Sequence, residues 1–172
     1  MALAITGGQF KGIKLHSLSQ SSVTRPTSGK MREALFSIIG PDIIGSTFLD
    51  LFAGYGAVGL EAMSRGAQSV ELVESNEKIF RVLQKNQKKF PLESIQLWKK
   101  DALTFSPQKM DYIFIDPPFT LNFDEMEDMV TRLLSQCDCF LVQFPTRQPP
   151  LWIKQASKIK KYGESSLGIF YN

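Results

Sequence analysis

Asp116-Pro117-Pro118-Phe119 sets a carboxylate, two prolines and an aromatic ring directly after the apolar run Tyr112-Ile113-Phe114-Ile115. The run is aromatic and β-branched, as in a strand of a parallel sheet covered on both faces. Pro117 and Pro118 end it, because neither has an N–H for a ladder and each fixes φ. The chain past Asp116 is therefore expected to be stiff and rich in unpaired acceptors. The Asp116 carboxylate and the Pro117 carbonyl supply these, with the Phe119 ring beside them at the carboxyl end of a strand, where open α/β sheets bind ligands. A flat heterocycle bearing an exocyclic NH2 group suits the set. Such an amine is a poor nucleophile because its lone pair is delocalised into the ring. Two acceptors on its N–H bonds pull it toward tetrahedral geometry and aim the lone pair at an electrophile, while stacking on an aromatic face contributes about 1–3 kcal/mol. The plainer alternative is a strand end followed by a proline turn.

A second constellation lies upstream. Gly54-Tyr55-Gly56-Ala57-Val58-Gly59 follows one strand and opens a helix, the glycine fingerprint of a nucleotide-like ligand. Alone it fits a nicotinamide dinucleotide as well as S-adenosylmethionine, since Glu74 ends the next strand where a ribose-binding carboxylate belongs. Asp50 tips the balance. It stands four residues before the first glycine, where its carboxylate can pair with the amino group of a methionine moiety and no pyrophosphate repels it. Asp101, after a third strand, can accept from an adenine amine. Taken singly, each acid also reads as a helix cap or a solvated loop end. Asp50, Glu74, Asp101 and Asp116 at the ends of four successive strands argue for one shared site, with Phe52, Ala53, Ser75 and Ala102 as its neighbours.

The elements that must hold these residues alternate. Strands are expected over 47–52, 69–73, 95–98, 112–115 and 139–144, with helices from Gly59 to about Arg65, over 76–90 and over 124–136. The segments 152–161 and 167–171 can supply two antiparallel strands. This is a doubly wound α/β sheet in a single domain spanning 1–172. Ahead of its core at 28–172, residues 1–27 read as a glycine-punctuated hairpin and a polar linker. A helix starts near Thr27 or Ser28 and places Met31, Leu35, Ile38 and Ile39 on one face.

Composition narrows the function. The chain has 172 residues, two cysteines and one histidine, which speaks against a disulfide framework and against a metal site. No apolar run approaches the ~20 residues of a membrane span, and no secretory signal is evident, so a cytoplasmic monomer is expected. The charge is segregated: Lys11, Lys14, Arg25, Lys30 and Arg32 face Glu33 alone in the first forty positions, and Arg147, Lys154, Lys158, Lys160 and Lys161 face Glu164 at the other end. Lys11, Arg25, Thr27, Lys30 and Arg32 are candidate contacts to RNA; a docking helix with a solvated polar side is the competing reading.

Ile5-Thr6-Gly7-Gly8 with Lys11-Gly12, Arg25-Pro26-Thr27 with Arg32-Glu33, Asp50 to Gly54 with Gly56 and Gly59, Glu74, and Asp116 to Phe119 together resemble the bacterial small-subunit ribosomal RNA (guanine-N2) methyltransferases. The resemblance implies a Rossmann-like class I fold with a seven-stranded, mostly parallel sheet and an N-terminal β-hairpin extension. It also implies S-adenosylmethionine held by Asp50, Gly54, Gly56, Glu74 and Asp101, and a guanine of 16S RNA in a 30S subunit held by Asp116, Pro117, Pro118 and Phe119. Rival expectations are an adenine-N6 or cytosine-N4 methyltransferase, for which 172 residues leave little room, and a catalytically silent RNA-binding module.

Overall fold

The computed structural model describes residues 3–18 and 27–172. Its strands are β1 (Thr47–Leu51), β2 (Ser69–Val73), β3 (Ile95–Trp98), β4 (Met110–Ile115), β5 (Cys137–Pro145), β6 (Lys158–Tyr162) and β7 (Ser165–Tyr171). The helices are α1 (Gly29–Ile39), α2 (Ala57–Ser64), α3 (Glu77–Gln87) and α4 (Glu127–Leu134). All seven strands join one sheet in the order β3-β2-β1-β4-β5-β7-β6. The first five pair in parallel, and β7 runs antiparallel to both its neighbours. The order reverses between β1 and β4, the switch point at which doubly wound sheets open a crevice for ligands.

Side-chain alternation divides the core into two layers. Phe48, Val70, Leu72, Phe114, Leu141 and Ile169 face Met31, Leu35 and Leu60 on one side, while Leu49, Leu51, Ile113, Ile115, Phe140 and Val142 face Met129 and Leu133 on the other. Burial of each such side chain stabilises the fold by about 1.5–3 kcal/mol. Even-numbered positions of β1, β2 and β4 share the first face, so Asp50, Glu74 and Asp116 continue it at the carboxyl end.

The penultimate strand is shorter than the sequence suggests, and the last, Ser165–Tyr171, is longer. Leu151–Gln155 is a 3-10 turn that buries the consecutive Trp152 and Ile153, and the strand begins only at Lys158. In β6 the exposed Lys158 and Lys161 lie on the sheet edge, where charge discourages strand addition by another chain. Among the described residues no helix is long and apolar enough to cross a membrane.

The N-terminal hairpin closes on an antiparallel bridge between Ala4 and Lys14, with Ile5 N donating to Ile13 O at 3.0 Å, Gly12 N to Ile5 O at 2.9 Å and Leu15 N to Leu3 O at 2.8 Å. Its turn also bonds to α2. Gln9 N donates to Ser64 O at 2.7 Å and Ser64 Oγ donates to Gly7 O at 2.6 Å. A Cβ on Gly8 would sit 1.9 Å from Ser64 O, so only glycine permits this approach. Asn86 completes the seam, accepting from His16 N at 2.7 Å and donating to His16 O at 3.0 Å.

Arg32 corrects the surface reading made from the sequence. Its side chain is 3% exposed and Nε pairs with Glu61 Oε2 at 2.8 Å. Nη1 and Nη2 donate to Thr27 O and Ala4 O at 2.8 and 2.6 Å. This guanidinium therefore has no free donor face for an RNA phosphate. Glu61, at 0% exposure, also pairs with Arg65 Nη2 at 2.7 Å and accepts from the Thr6 hydroxyl. The network ties the extension, α1 and α2 together. Glu61→Ala leaves Arg32 charged and buried without its counter-ion, so it is expected to cost about 3–5 kcal/mol of unfolding free energy. Arg32→Ala should cost less, because Glu61 keeps Arg65. Urea unfolding of the two variants measures the order, and equal losses would contradict it.

Candidate active site

The β1–α2 turn brings the first carboxylate to its place. Phe52 has φ of 65°, the one positive value among described non-glycine residues, a strain that marks functional turns. Gly54 and Gly56 follow at φ of 56° and 85°. Gly59 admits close packing of α2: a Cβ there would lie 2.1 Å from Leu72 Cδ2 and 3.3 Å from Asp50 Cβ. Gly59 N donates to Asp50 Oδ2 at 3.0 Å. Asp50 is 2% exposed. Burial pushes its carboxyl well above the usual range; the Gly59 N–H opposes this, and Asp116 and Glu74 add to it. No cation among the described residues pairs with it.

Glu74 braces the same turn. Oε2 accepts from Gly54 N at 3.0 Å and Oε1 from Asn76 N at 2.7 Å, joining the glycine loop to the start of α3. Burial raises its pKa, and the N–H groups of Asn76, Gly54 and Ser75 counter the rise. A carboxylate has about four acceptor positions, so these bonds leave capacity for sugar hydroxyls. Asp101 is exposed, and its Oδ1 accepts from Leu103 N at 3.0 Å. It is thus a loop cap with a solvated carboxylate, next to the buried Ala102. Ser75 is exposed and Asn76 caps α3.

Asp116 ends β4 half-buried. Its Oδ2 accepts from Thr27 Oγ1 at 2.6 Å. Burial pushes its pKa to about 6, with the Thr27 hydroxyl pulling the other way. Thr27, read from the sequence as an RNA contact, is therefore also a partner of the candidate amine acceptor. Pro118 O is taken by Leu121 N at 2.9 Å, whereas nothing among the described residues donates to the Pro117 carbonyl. Phe119 is 49% exposed and meets Phe123 edge to face at 6.2 Å. An acceptor pair and a half-bare aromatic face thus stand together, beside the buried Asp50. Cys137 and Cys139 are buried, which pushes both thiols up to about 12 and leaves them poor nucleophiles.

Of the candidate RNA contacts, Lys11 and Lys30 are exposed; Arg25 lies outside the described residues. Lys30 sits in the first turn of α1, three residues from Thr27. A groove of about 450 Å³ lined by Asp42, Ile44, Tyr112 and Tyr171 lies at the opposite, amino end of the strands, remote from these acids. Two residues escaped the sequence reading. Glu61 is the lone acid in an otherwise apolar helix, a recognisable signal. Gln143 is buried at 8% exposure near the end of β5, and its Oε1 has no hydrogen-bond partner among the described residues; it is the one amide within that apolar strand.

The family model described as Conserved hypothetical protein 95 matches residues 3–171. Ribosomal RNA small subunit methyltransferase D of Escherichia coli is 38% identical over 120 residues, 68% of this chain and 60% of that protein. The matched region thus spans under two thirds of that relative's length. Putative rRNA methyltransferase YlbH of Bacillus subtilis is 35% identical over 124 residues, 68% of this chain and 67% of its own. The solved structure of the putative methyltransferase yhhF from Escherichia coli has a TM-score of 0.81 and 27% identity, covering 100% of this chain and 98% of that one. On the match over residues 3–171 and the 38% identity to methyltransferase D across 68% of this chain, the chain belongs to the Conserved hypothetical protein 95 family.

Proposed function

We propose that this chain is a single-domain, monomeric enzyme that transfers a methyl group from S-adenosylmethionine to the exocyclic N2 amine of a guanine in small-subunit ribosomal RNA. The observation that carries the reading is the Asp116 carboxylate, with the Pro117 carbonyl after it, near the buried Asp50, neither Pro117 O nor Asp50 having a donor side chain or cation on it among the described residues. The names of the relatives, ribosomal RNA small subunit methyltransferase D and putative rRNA methyltransferase YlbH, supply the substrate class.

The residues present fit the cofactor. An ammonium group beside Asp50 would neutralise a carboxylate whose ionised form burial disfavours. Glu74 would hold the sugar, Gly54 and Gly56 would admit close approach, and Asp101 with Ala102 would receive the adenine. S-adenosylmethionine supplies an electrophilic methyl. Asp116 and Pro117 O accept the two N–H bonds of the guanine amine, and Phe119 stacks on the base. Acceleration arises mainly from position, which can account for about 7–11 kcal/mol of barrier. The amine loses its proton as or after the methyl moves, and the ionised Asp116 is placed to receive it.

Exposed Lys11 and Lys30 offer few phosphate contacts, and Arg32 adds none. Affinity for bare RNA should therefore be modest and steeply salt-dependent. A loop already ordered by its surroundings spares the enzyme the ordering entropy. Assembled or assembling 30S subunits are accordingly expected to be methylated much faster than deproteinised RNA, and Lys30→Glu to slow transfer more than Lys88→Glu on the far end of α3. Parallel assays with a labelled methyl donor measure both; equal rates on naked RNA and subunits would refute the preference for assembled particles.

A further inference from the structure

We infer that Gln143 is a specificity residue that reads the Watson–Crick edge of the target guanine beside its amine. The inference rests on the proposed guanine-N2 reaction and adds to it a reason for the choice of base.

In the β4–β5 register Ile115 pairs with Val142, so the next residues, Asp116 and Gln143, end that ladder at the same level. Adjacent strands are about 4.8 Å apart. Phe114 and Leu141 both belong to the first core layer, and two residues further along each strand Asp116 and Gln143 continue that face. Gln143 is therefore the neighbour of the amine acceptor on the side away from Asp50. Gln143 Oε1 is the one buried side-chain polar atom without a partner among the described residues. A buried acceptor with no partner, on a side chain of a residue 8% exposed, is costly to keep. Such a cost is accounted for when a ligand supplies the missing partners.

The amino bases differ in what they offer next to the amine. With its N2 amine on Asp116 and Pro117 O, guanine presents the N1–H donor and then the O6 acceptor. A glutamine amide satisfies both, its Oε1 accepting from N1–H and its Nε2 donating to O6. Adenine placed by its N6 amine presents the N1 acceptor and then a C–H. Cytosine placed by its N4 amine presents two acceptors. Either base leaves one end of the amide unpaired, whichever way the amide turns. Bidentate reading of a base edge by an amide discriminates by roughly 10- to 100-fold.

Gln143→Met keeps the size of the side chain and removes both hydrogen-bonding atoms. It is expected to lower kcat/KM on small ribosomal subunits by roughly 10- to 100-fold. S-adenosylmethionine affinity should not change, and Tm should hold or rise as an unsatisfied acceptor disappears. A second readout needs no variant. Guanosine and 2-aminopurine riboside share the amine, but the latter lacks N1–H and O6. As competitive inhibitors of the wild-type enzyme, guanosine should bind more tightly, and Gln143→Met should erase the difference. Wild-type kcat/KM in Gln143→Met, or equal inhibition of the wild type by the two nucleosides, would overturn the role of Gln143. The reading of the reaction would fail separately, through the absence of N2-methylguanosine from wild-type product.

Discussion

Asp116→Ala lowers the turnover of methyl transfer by about 10²- to 10³-fold, the usual effect of deleting one fixed group aimed at developing charge, while S-adenosylmethionine affinity stays nearly unchanged. As the amine attacks, positive charge grows on its nitrogen and its N–H bonds become more acidic. A carboxylate held in place stabilises that charge more than it stabilises the neutral ground state. The same group sets a pH limit. Its pKa is raised to about 6, so the ionised acceptor predominates at neutral pH and is lost as pH falls through about 6. The acid limb of kcat/KM reports the free enzyme and should lie there. The Thr27 hydroxyl holds that pKa down, so Thr27→Val shifts the limb to higher pH and Thr27→Ser restores it. Phe119→Ala acts on the base and not on its charge, losing about 1–3 kcal/mol of stacking. Near wild-type turnover in Asp116→Ala would remove its role as amine acceptor.

Asp50→Asn is expected to weaken S-adenosylmethionine binding by about 2–5 kcal/mol, the cost of truncating one partner of a buried charge pair, and at the same time to raise the stability of the free protein. Asparagine retains an oxygen for the Gly59 N–H but carries no charge. Burial raises the folded-state pKa of Asp50, so the folded form binds a proton that the unfolded form releases. Stability relative to a neutral side chain is intact below the unfolded pKa of about 3.9 and is lost as pH rises through the folded value. The gain in Tm of Asp50→Asn over wild type should therefore be larger at pH 8 than at pH 4. Calorimetric titration and thermal melts at both pH values test the pair of effects. Loss of stability at pH 8 with intact cofactor affinity would contradict the assignment.

These two carboxylates were legible in the sequence because of where they stand. Strands buried on both faces read as apolar runs, so Asp50 within Phe48 to Leu51 and Asp116 directly after Tyr112 to Ile115 are conspicuous. The glycine spacing was legible for a similar reason: Gly59 must touch Leu72, and few other residues could. Partners distant along the chain were not legible. Arg32 resembled a surface cation because Glu61, 29 positions later, is found only in space. Thr27 reads as a helix start, and its bond to Asp116 spans 89 positions. The N-terminal hairpin was legible in its alternation and glycines, but its docking was not, because Phe10 bonds to Ser64, 54 positions later, and Gln9 to the same residue. Gln143 was passed over inside an apolar run, although the strand order that sets it beside Asp116 makes it the next residue to consult.

The measurement that bears most directly on the proposed reaction is nucleoside mass analysis of RNA from small subunits purified from cells lacking this chain. The subunits are incubated with the protein and methyl-labelled S-adenosylmethionine. The expected result is label in N2-methylguanosine at a single site of the small-subunit RNA, absent with Asp116→Ala. Label in an adenine or cytosine amine, or none in the RNA at all, would contradict it.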